Sequence, residues 1–395
     1  RHSGKDHQIP EHVTSRTREN ERGYTSLRIL YLINFAGKAG TEKYIYNLVK
    51  RFDKTETECF FAFNEGGLLS EQMDDLGVPC FQVEMKSPFD IKAAKRLAAI
   101  CKANKIDIIH AHYPRENYIA ILAHLFYPKA KALYTCHLTL KTNAAWWVTN
   151  KFMTPHDAKI IAVCNNAKEL LVSNGVNPKK IDVIFNGIPQ TEAQADPKAI
   201  RKEFGLSDDT FVISILARYH MSKGLDFLVD SIAALDKKMK RDYVLLIAGD
   251  GEYFEAVKEQ IARLGLEKHI KQLGFRSDTD NILAASDVYV NSSKCYEALS
   301  FAILEAMALS LPLVVTAAGG NGDIVNEKTD CGFIVPYGDT EAFAEALYTL
   351  SEDKELCRRF AENAKKATQT TFDLENVLQK TLAVYKSIAP DKQDV

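Results

Sequence analysis

The sequence predicts an α/β protein made of two doubly wound domains that face each other across a cleft. Its 395 residues suit two domains at roughly 100 to 200 residues each. Short β-branched or aromatic runs alternate with longer segments of helical period, the pattern of βα units and a parallel sheet. That series ends near residue 190 and begins again after the polar stretch Pro189-Gln-Thr-Glu-Ala-Gln-Ala-Asp-Pro197.

In the front half the expected strands are Leu27–Asn34, Glu58–Phe63, Pro79–Glu84, Ile106–His110, Ala132–His137, Lys159–Cys164 and Asp182–Phe185. Helical patterns lie between them at Thr41–Phe52, Ile91–Ala103 and Ala167–Ser173. The second series has strands at Phe211–Ala217, Tyr243–Ala248, Ile270–Leu273, Val288–Asn291, Leu313–Thr316 and Gly332–Val335. Its helices include Leu225–Leu235, Tyr253–Leu264, Phe301–Leu309 and Glu341–Leu350. Four parts follow: a polar tail Arg1–Gly23 outside the fold, a front domain Tyr24–Gln190, a back domain Thr191–Phe372, and a closing segment Asp373–Val395. The amphipathic stretch Leu374–Ile388 of that closing segment is expected to pack back toward the front domain. Ligands of such sheets sit beyond the carboxyl ends of the strands, so the cleft is the expected site.

Composition narrows the function. Hydrophobic residues make up 46% and charged residues 26%, enough to bury a full core. The net charge of -2 and the lack of a basic-aromatic motif argue against a nucleic-acid partner. The charge is unevenly spread, with a surplus of six positive charges in Tyr24–Gln190 and of nine negative charges in Thr191–Val395. A basic front half suits an anionic membrane surface or a phosphorylated acceptor. Eight cysteines lie scattered in apolar segments without zinc spacing, the usage of a reducing compartment. With no apolar run near 18 residues and no signal-peptide pattern, the expected location is cytoplasmic, with a peripheral place on the inner face of the cell membrane as the further expectation.

Three motifs carry chemistry. After the first strand, Phe35-Ala-Gly37-Lys-Ala-Gly40-Thr-Glu is a glycine-bearing turn that opens a helix, where backbone N–H groups can approach an anion. It is neither G-x-G-x-x-G nor a P-loop, and a plain strand-to-helix turn is the alternative. Arg218 and Lys223 follow a strand in the back domain, a planar fork and a point charge suited to holding a diphosphate and neutralising it as it leaves. Glu297-Ala-Leu-Ser-Phe-Ala-Ile-Leu-Glu305 spaces two glutamates by eight residues. Two helical glutamates so spaced diverge by about 80 degrees, so Glu297 is expected just before the helix and Glu305 within it. The N–H groups of Ala298 to Phe301 then face a phosphate between them.

In this order the motifs resemble the retaining glycosyltransferases of family 4, whose GT-B fold pairs two Rossmann-like domains. Further carriers are His110-Ala-His112, Thr135-Cys-His137, Val183-Ile-Phe-Asn186-Gly187, Ala248-Gly249-Asp-Gly251, and Pro312-Leu-Val-Val-Thr with Gly319-Gly320. The resemblance implies that Arg218 and Lys223 hold the donor diphosphate, that Glu297 contacts the transferred sugar, and that Glu305 binds the ribose hydroxyls. It places His137 near the sugar and Gly40 near phosphate and acceptor. It adds Gly37, His112, Gly249, Phe275 and Arg276 to the substrate-binding set, the last two by backbone contacts near the base. Ala298, Leu299, Ser300 and Phe301 meet sugar and phosphate through their backbone. The resemblance also implies transfer with retention by a front-face route, with no protein nucleophile, no cofactor and no metal expected. Here Ala298 and Ser300 stand where many relatives carry glycine, and Gly319-Gly-Asn-Gly-Asp323-Ile-Val lacks the commoner Pro-Glu.

The expected function is a hexosyltransferase that moves sugar from a nucleotide-diphosphate donor, a UDP-sugar by expectation, to a glycan or lipid-linked acceptor in cell-surface polysaccharide or glycolipid synthesis. The alternatives are an epimerase or hydrolase of the same fold and a catalytically idle nucleotide-sugar-binding scaffold. A hydrolase needs its two carboxylates on one bond. Asp278-Thr-Asp280 resembles a metal-binding D-x-D but precedes a helical pattern, where Asp278 is expected to cap. His112 is a candidate cleft residue and His110 a packed strand residue. Trp146 and Trp147, with Lys141 and Lys151 nearby, are core aromatics or a lipid contact.

Overall fold

The computed structural model describes residues 26–137, 141–190, 195–295 and 297–390. The tail Arg1–Gly23 lies outside the described residues. The first sheet has seven strands, β1 (Leu27–Phe35), β2 (Thr57–Glu65), β3 (Cys80–Gln82), β4 (Ile108–Ala111), β5 (Lys131–Cys136), β6 (Lys159–Ala162) and β7 (Ile181–Val183). They are all parallel, in the order β3-β2-β1-β4-β5-β6-β7. The second has β8 (Phe211–Leu216), β9 (Tyr243–Ala248), β10 (Ile270–Gly274), β11 (Val288–Asn291), β12 (Leu313–Thr316) and β13 (Gly332–Val335). Their order is β10-β9-β8-β11-β12-β13, again all parallel.

Helices on both faces explain why these strands read as apolar runs rather than alternating ones. In β1, Ile29, Tyr31 and Ile33 join one core cluster while Leu30 and Leu32 join another. In β9, Tyr243, Leu245 and Ile247 face one cluster and Val244 and Leu246 the opposite one. Each sheet reverses its order once, between β1 and β4 and between β8 and β11, and such switch points open a crevice at the carboxyl ends. The glycine turn follows β1, and Arg218 and Lys223 follow β8.

The helix Leu374–Ile388 sets Leu374, Val377, Leu378 and Tyr385 into the front core beside Ile29, Tyr31, Leu48 and Phe52. Its entry lies against the other crossing of the chain. The Ile188 N–H donates to the Phe372 carbonyl at 2.9 Å and the Leu374 N–H to the Ile188 carbonyl at 3.1 Å. A Cβ on Gly187 would stand 2.8 Å from the Leu374 Cα, so only glycine lets the two strands of the joint run together. The chain thus crosses between the domains at one place, where its two passages lie side by side.

Several helices exceed the sequence expectation. Pro114–Phe126 buries Tyr118, Ile119, Ala120 and Ile121 on successive positions, so it has no polar stripe to reveal its period. Ala144–Met153 carries Trp146 and Trp147 and buries none of its residues. The Trp pair is therefore not core.

Candidate functional site

The back domain builds the charged half of the cleft. Arg218, after β8, is exposed and has no carboxylate partner among the described residues. Lys223 closes the short turn Met221–Lys223, in which the His220 side chain accepts a hydrogen bond from the Ser222 N–H. Gly224 (φ +59°) ends that turn, where a Cβ would lie 2.2 Å from the Ser292 carbonyl oxygen. This close approach brings Lys223 to Glu297, and its Nζ donates to Glu297 Oε2 at 2.7 Å. The Ser293 hydroxyl donates to the same oxygen at 2.5 Å. Glu297 is buried, and a cation plus a hydroxyl compensate its charge.

Glu297 lies in the loop between β11 and the helix Phe301–Ala308, ahead of the helix, and Glu305 lies within it. Ser300 occupies the N-cap without using its hydroxyl, which leaves the helix end without a side-chain cap. Leu299 is buried, and its carbonyl accepts from the Asn186 side chain of the front domain at 2.9 Å. Phe301 packs against the front core and lies 3.5 Å from where a Cβ of Gly40 would be. Gly249 (φ +146°) lets the loop after β9 approach β8 so closely that a Cβ would sit 1.9 Å from the Ala217 carbonyl oxygen, one residue before Arg218.

The front domain supplies the turn Phe35–Gly40 and two imidazoles. Gly40 is exposed and begins the helix Gly40–Arg51, whereas Gly37 is buried. The helix's own Glu42 is buried in the first turn, and burial raises its carboxyl against the pull of the backbone N–H groups of Glu42, Ala39 and Gly37. His137 is partly exposed at the end of β5, with Tyr44 edge-on at 4.7 Å. Its Nε2 lies 3.1 Å from Nδ1 of His112. His112 itself is fully buried, so it meets the cleft only through His137 rather than lining it. His110 is buried too, bonded to Thr135 at 2.6 Å and to the Tyr385 hydroxyl at 2.7 Å. Burial holds His137 down to about 3, and His110 and His112 also fall well below the ordinary imidazole value, by burial and then by their neighbouring imidazoles. The trio is therefore neutral at physiological pH.

Contacts across the cleft involve residues that sequence reasoning missed. Lys43 forms an ion pair with Glu305. Lys38 Nζ lies over the Phe275 ring, 4.2 Å from its centroid, and Phe275 is otherwise 64% exposed. The Asn165 backbone and side chain both donate to Asp323, at 2.7 and 2.6 Å. Lys43 stands three residues after Gly40, one helical turn from the glycine motif, which is the signal that marks its face. Arg276 turns its guanidinium away to Glu203 and Asp278, at 2.7 and 2.8 Å. That corrects the expectation for Asp278: it stands at an N-cap position but makes no capping bond, because its carboxylate is taken by Arg276.

Known proteins share this architecture. Residues 39–192 match the family described as Glycosyltransferase Family 4, and residues 196–367 match Glycosyl transferases group 1. The chain belongs to glycosyltransferase family 4. A UDP-Gal:alpha-D-GlcNAc-diphosphoundecaprenol alpha-1,3-galactosyltransferase of Escherichia coli is 28% identical over 347 residues, covering 83% of this chain and 88% of the relative. An N-acetyl-alpha-D-glucosaminyl L-malate synthase of Bacillus anthracis is 25% identical over 325 residues, covering 80% and 83%. The crystal structure of a glycosyltransferase from Rickettsia africae ESF-5 superposes with a TM-score of 0.82 at 25% identity, covering 92% of this chain and 99% of the other.

As a family 4 glycosyltransferase of GT-B fold, the protein sets its free guanidinium, its Lys223–Glu297 pair and its uncapped helix end on one wall of the cleft. Neutral imidazole and the glycine turn form the facing wall. The two glutamates are not alike: Glu297 is paired inside its own domain, and Glu305 is paired across the cleft. They do not form an acid and base aimed at one bond.

Proposed function

We propose that this glycosyltransferase takes a sugar from a UDP-sugar and adds it, with retention and without a metal, to a glycan or lipid-linked acceptor of cell-surface polysaccharide or glycolipid synthesis. The observation that carries this reading is Arg218, without a carboxylate partner among the described residues and beside Lys223, at the mouth of a cleft whose opposite wall holds His137. Two fixed cations supply the charge that a departing diphosphate requires, so no metal is assigned to that task. The Escherichia coli relative, named for UDP-Gal and a diphosphoundecaprenol-linked acceptor, favours a uridine donor and a lipid-linked acceptor.

In this reading Arg218 and Lys223 hold the diphosphate, and the N–H groups at the start of Phe301–Ala308 face it. Glu297 accepts from hydroxyls of the transferred sugar, and Glu305 from those of the ribose once Lys43 moves aside. The bond from the anomeric carbon to the diphosphate breaks as the acceptor oxygen bonds to the same face. The acceptor proton passes to the departing phosphate oxygen. His137, neutral and partly exposed, orients the sugar and is no proton carrier at neutral pH. Hinge closure at Gly187 and Asp373 brings the walls together.

Calorimetric titration in EDTA with UDP, GDP and ADP tests the donor site. UDP is expected to bind most tightly, and Arg218→Ala to weaken it about tenfold or more, the worth of a charge-assisted bond. Equal affinity in Arg218→Ala and the parent would move the diphosphate elsewhere.

The membrane part of the reading rests on a separate surface. Trp146, Trp147, Val148 and Phe152 are all exposed on one helix, Phe152 by 73%, and Phe89 stacks on Trp146 beside them. Lys151 lies over the Trp147 ring at 5.2 Å, the arrangement of an interfacial aromatic with its cation. No helix among the described residues is long and apolar enough to cross a membrane. Cosedimentation with anionic phosphatidylglycerol vesicles is expected at low salt and lost in Trp147→Ser/Phe152→Ser. Binding that survives both changes assigns the contact to another face.

A further inference from the structure

A cavity of about 290 Å³ opens on Glu297 from outside the pair Arg218 and Lys223, neither of which lines it. Its walls come from both domains. The front domain contributes Lys141 and the start of the helix Asn165–Ser173, and the back domain contributes Lys294, Cys295 and the loop Ala317–Gly319. Lys141 and Lys294 are both exposed, and neither has a carboxylate partner among the described residues. Lys294 is anchored by its backbone, whose N–H donates to the Ser222 carbonyl at 2.8 Å, so it is carried by the same turn as Lys223.

The nearby carboxylates do not neutralise these lysines. Glu297 is already bonded to Lys223 and Ser293, and Asp323 accepts two bonds from Asn165. Of the other lining residues, Asn166 offers a neutral amide with one acceptor oxygen and two N–H donors, and Ala167, Leu170, Ala317 and Ala318 offer no polar side chain. A neutral sugar presents hydroxyls that seek donors and acceptors alike, whereas these two side chains present donors and charge only. We infer that this pocket binds an anionic group, a phosphate or a carboxylate, carried by one of the two substrates. The inference rests on the transferase reading, because it takes Glu297 as the place where the substrates meet. The anion belongs either to the acceptor or to an acidic sugar on the donor.

Cys295 reports on the pocket directly, since its partly exposed thiol lies in the wall. Cys164, the other thiol of the lining, is buried and pushed up to about 12, so it stays unreactive. The full chain, saturated with UDP so that the diphosphate site is filled, is alkylated with iodoacetamide, and the Cys295 peptide is followed by mass spectrometry. Inorganic phosphate is expected to slow labelling relative to chloride at equal ionic strength. Lys141→Met and Lys294→Met are each expected to raise the half-protecting concentration by about tenfold. Equal labelling in phosphate and chloride, or protection unchanged in both variants, overturns the inference.

Calorimetry with UDP-glucuronate and UDP-glucose separates the two sources. Selective weakening of UDP-glucuronate in the lysine variants places the anion on the donor sugar. Unchanged affinity for both, with phosphate protection lost, places it on the acceptor. Failure of UDP to bind sinks the transferase reading by itself. The same labelling without UDP still decides the pocket.

Discussion

Lys223→Ala is expected to slow sugar transfer by two to three orders of magnitude and to leave the overall fold intact. Two losses combine. The first is chemical: one of two cations assigned to the leaving diphosphate disappears, and removing one preorganised group of this kind typically costs about 10² to 10³ in turnover. The second is local. Among the described residues Glu297 then keeps the Ser293 hydroxyl alone, and a carboxylate whose side chain is 8% exposed loses its ion-pair partner. Breaking a buried pair from one side is costlier than deleting both members. Adding Glu297→Gln to Lys223→Ala is therefore expected to recover stability while recovering no activity. Steady-state turnover and thermal melting of the two single variants and the double variant measure both terms. Turnover of Lys223→Ala within threefold of the parent would remove this lysine from the chemistry.

That pair shows which part of the site the sequence discloses. Lys223 and Glu297 stand out separately, as a cation at a strand exit and a glutamate ahead of a helix, because each is tied to an element with a recognisable period. Their contact, across 74 positions of chain, depends on the close approach at Gly224 and on the neighbouring order of β8 and β11. Ser293 lies two residues past the strand expected at Val288–Asn291, and nothing in its spacing distinguishes a hydroxyl that holds a carboxylate. Lys43 is harder still. It reaches Glu305 over 262 positions and between domains, so its role exists only once the cleft does. The same distinction governs the fold. β1 and β9 are legible because burial on both faces makes them apolar throughout, whereas Pro114–Phe126 is hidden for that very reason, being a helix without a wet face. His112 reads as a cleft residue from its place after a strand, yet Tyr31 and Tyr44 close over it. Tertiary packing, not local pattern, decides such positions.

Gly320→Ala is expected to cost at least a hundredfold in kcat/KM, although its backbone (φ -80°) suits any residue. The obstacle is space. A Cβ there would stand 1.9 Å from the Ala298 carbonyl oxygen and 3.0 Å from the Cys164 Cβ. The first of these neighbours is backbone, so no side chain can rotate away. Gly320 also donates its N–H to the Glu297 carbonyl at 3.0 Å, and a Cβ on Gly319 (φ +51°) would lie 1.7 Å from that same oxygen. The two glycines thus let one loop lie flat on the other and fix where Glu297 begins. A methyl group must push them apart by an ångström or more, and displacement of that size in a positioned group costs about 10² in rate. The strain adds about 1 to 3 kcal/mol of instability. Gly322→Ala is the control: two residues on, its Cβ would meet only the Ile334 side chain at 3.8 Å, so folding and transfer are expected to stay near the parent. Melting curves and donor kinetics for both variants separate the effects. Normal transfer by Gly320→Ala would mean that Glu297 is positioned by Lys223 and Ser293 alone, and that contact between the loops serves only to join the domains at Cys164.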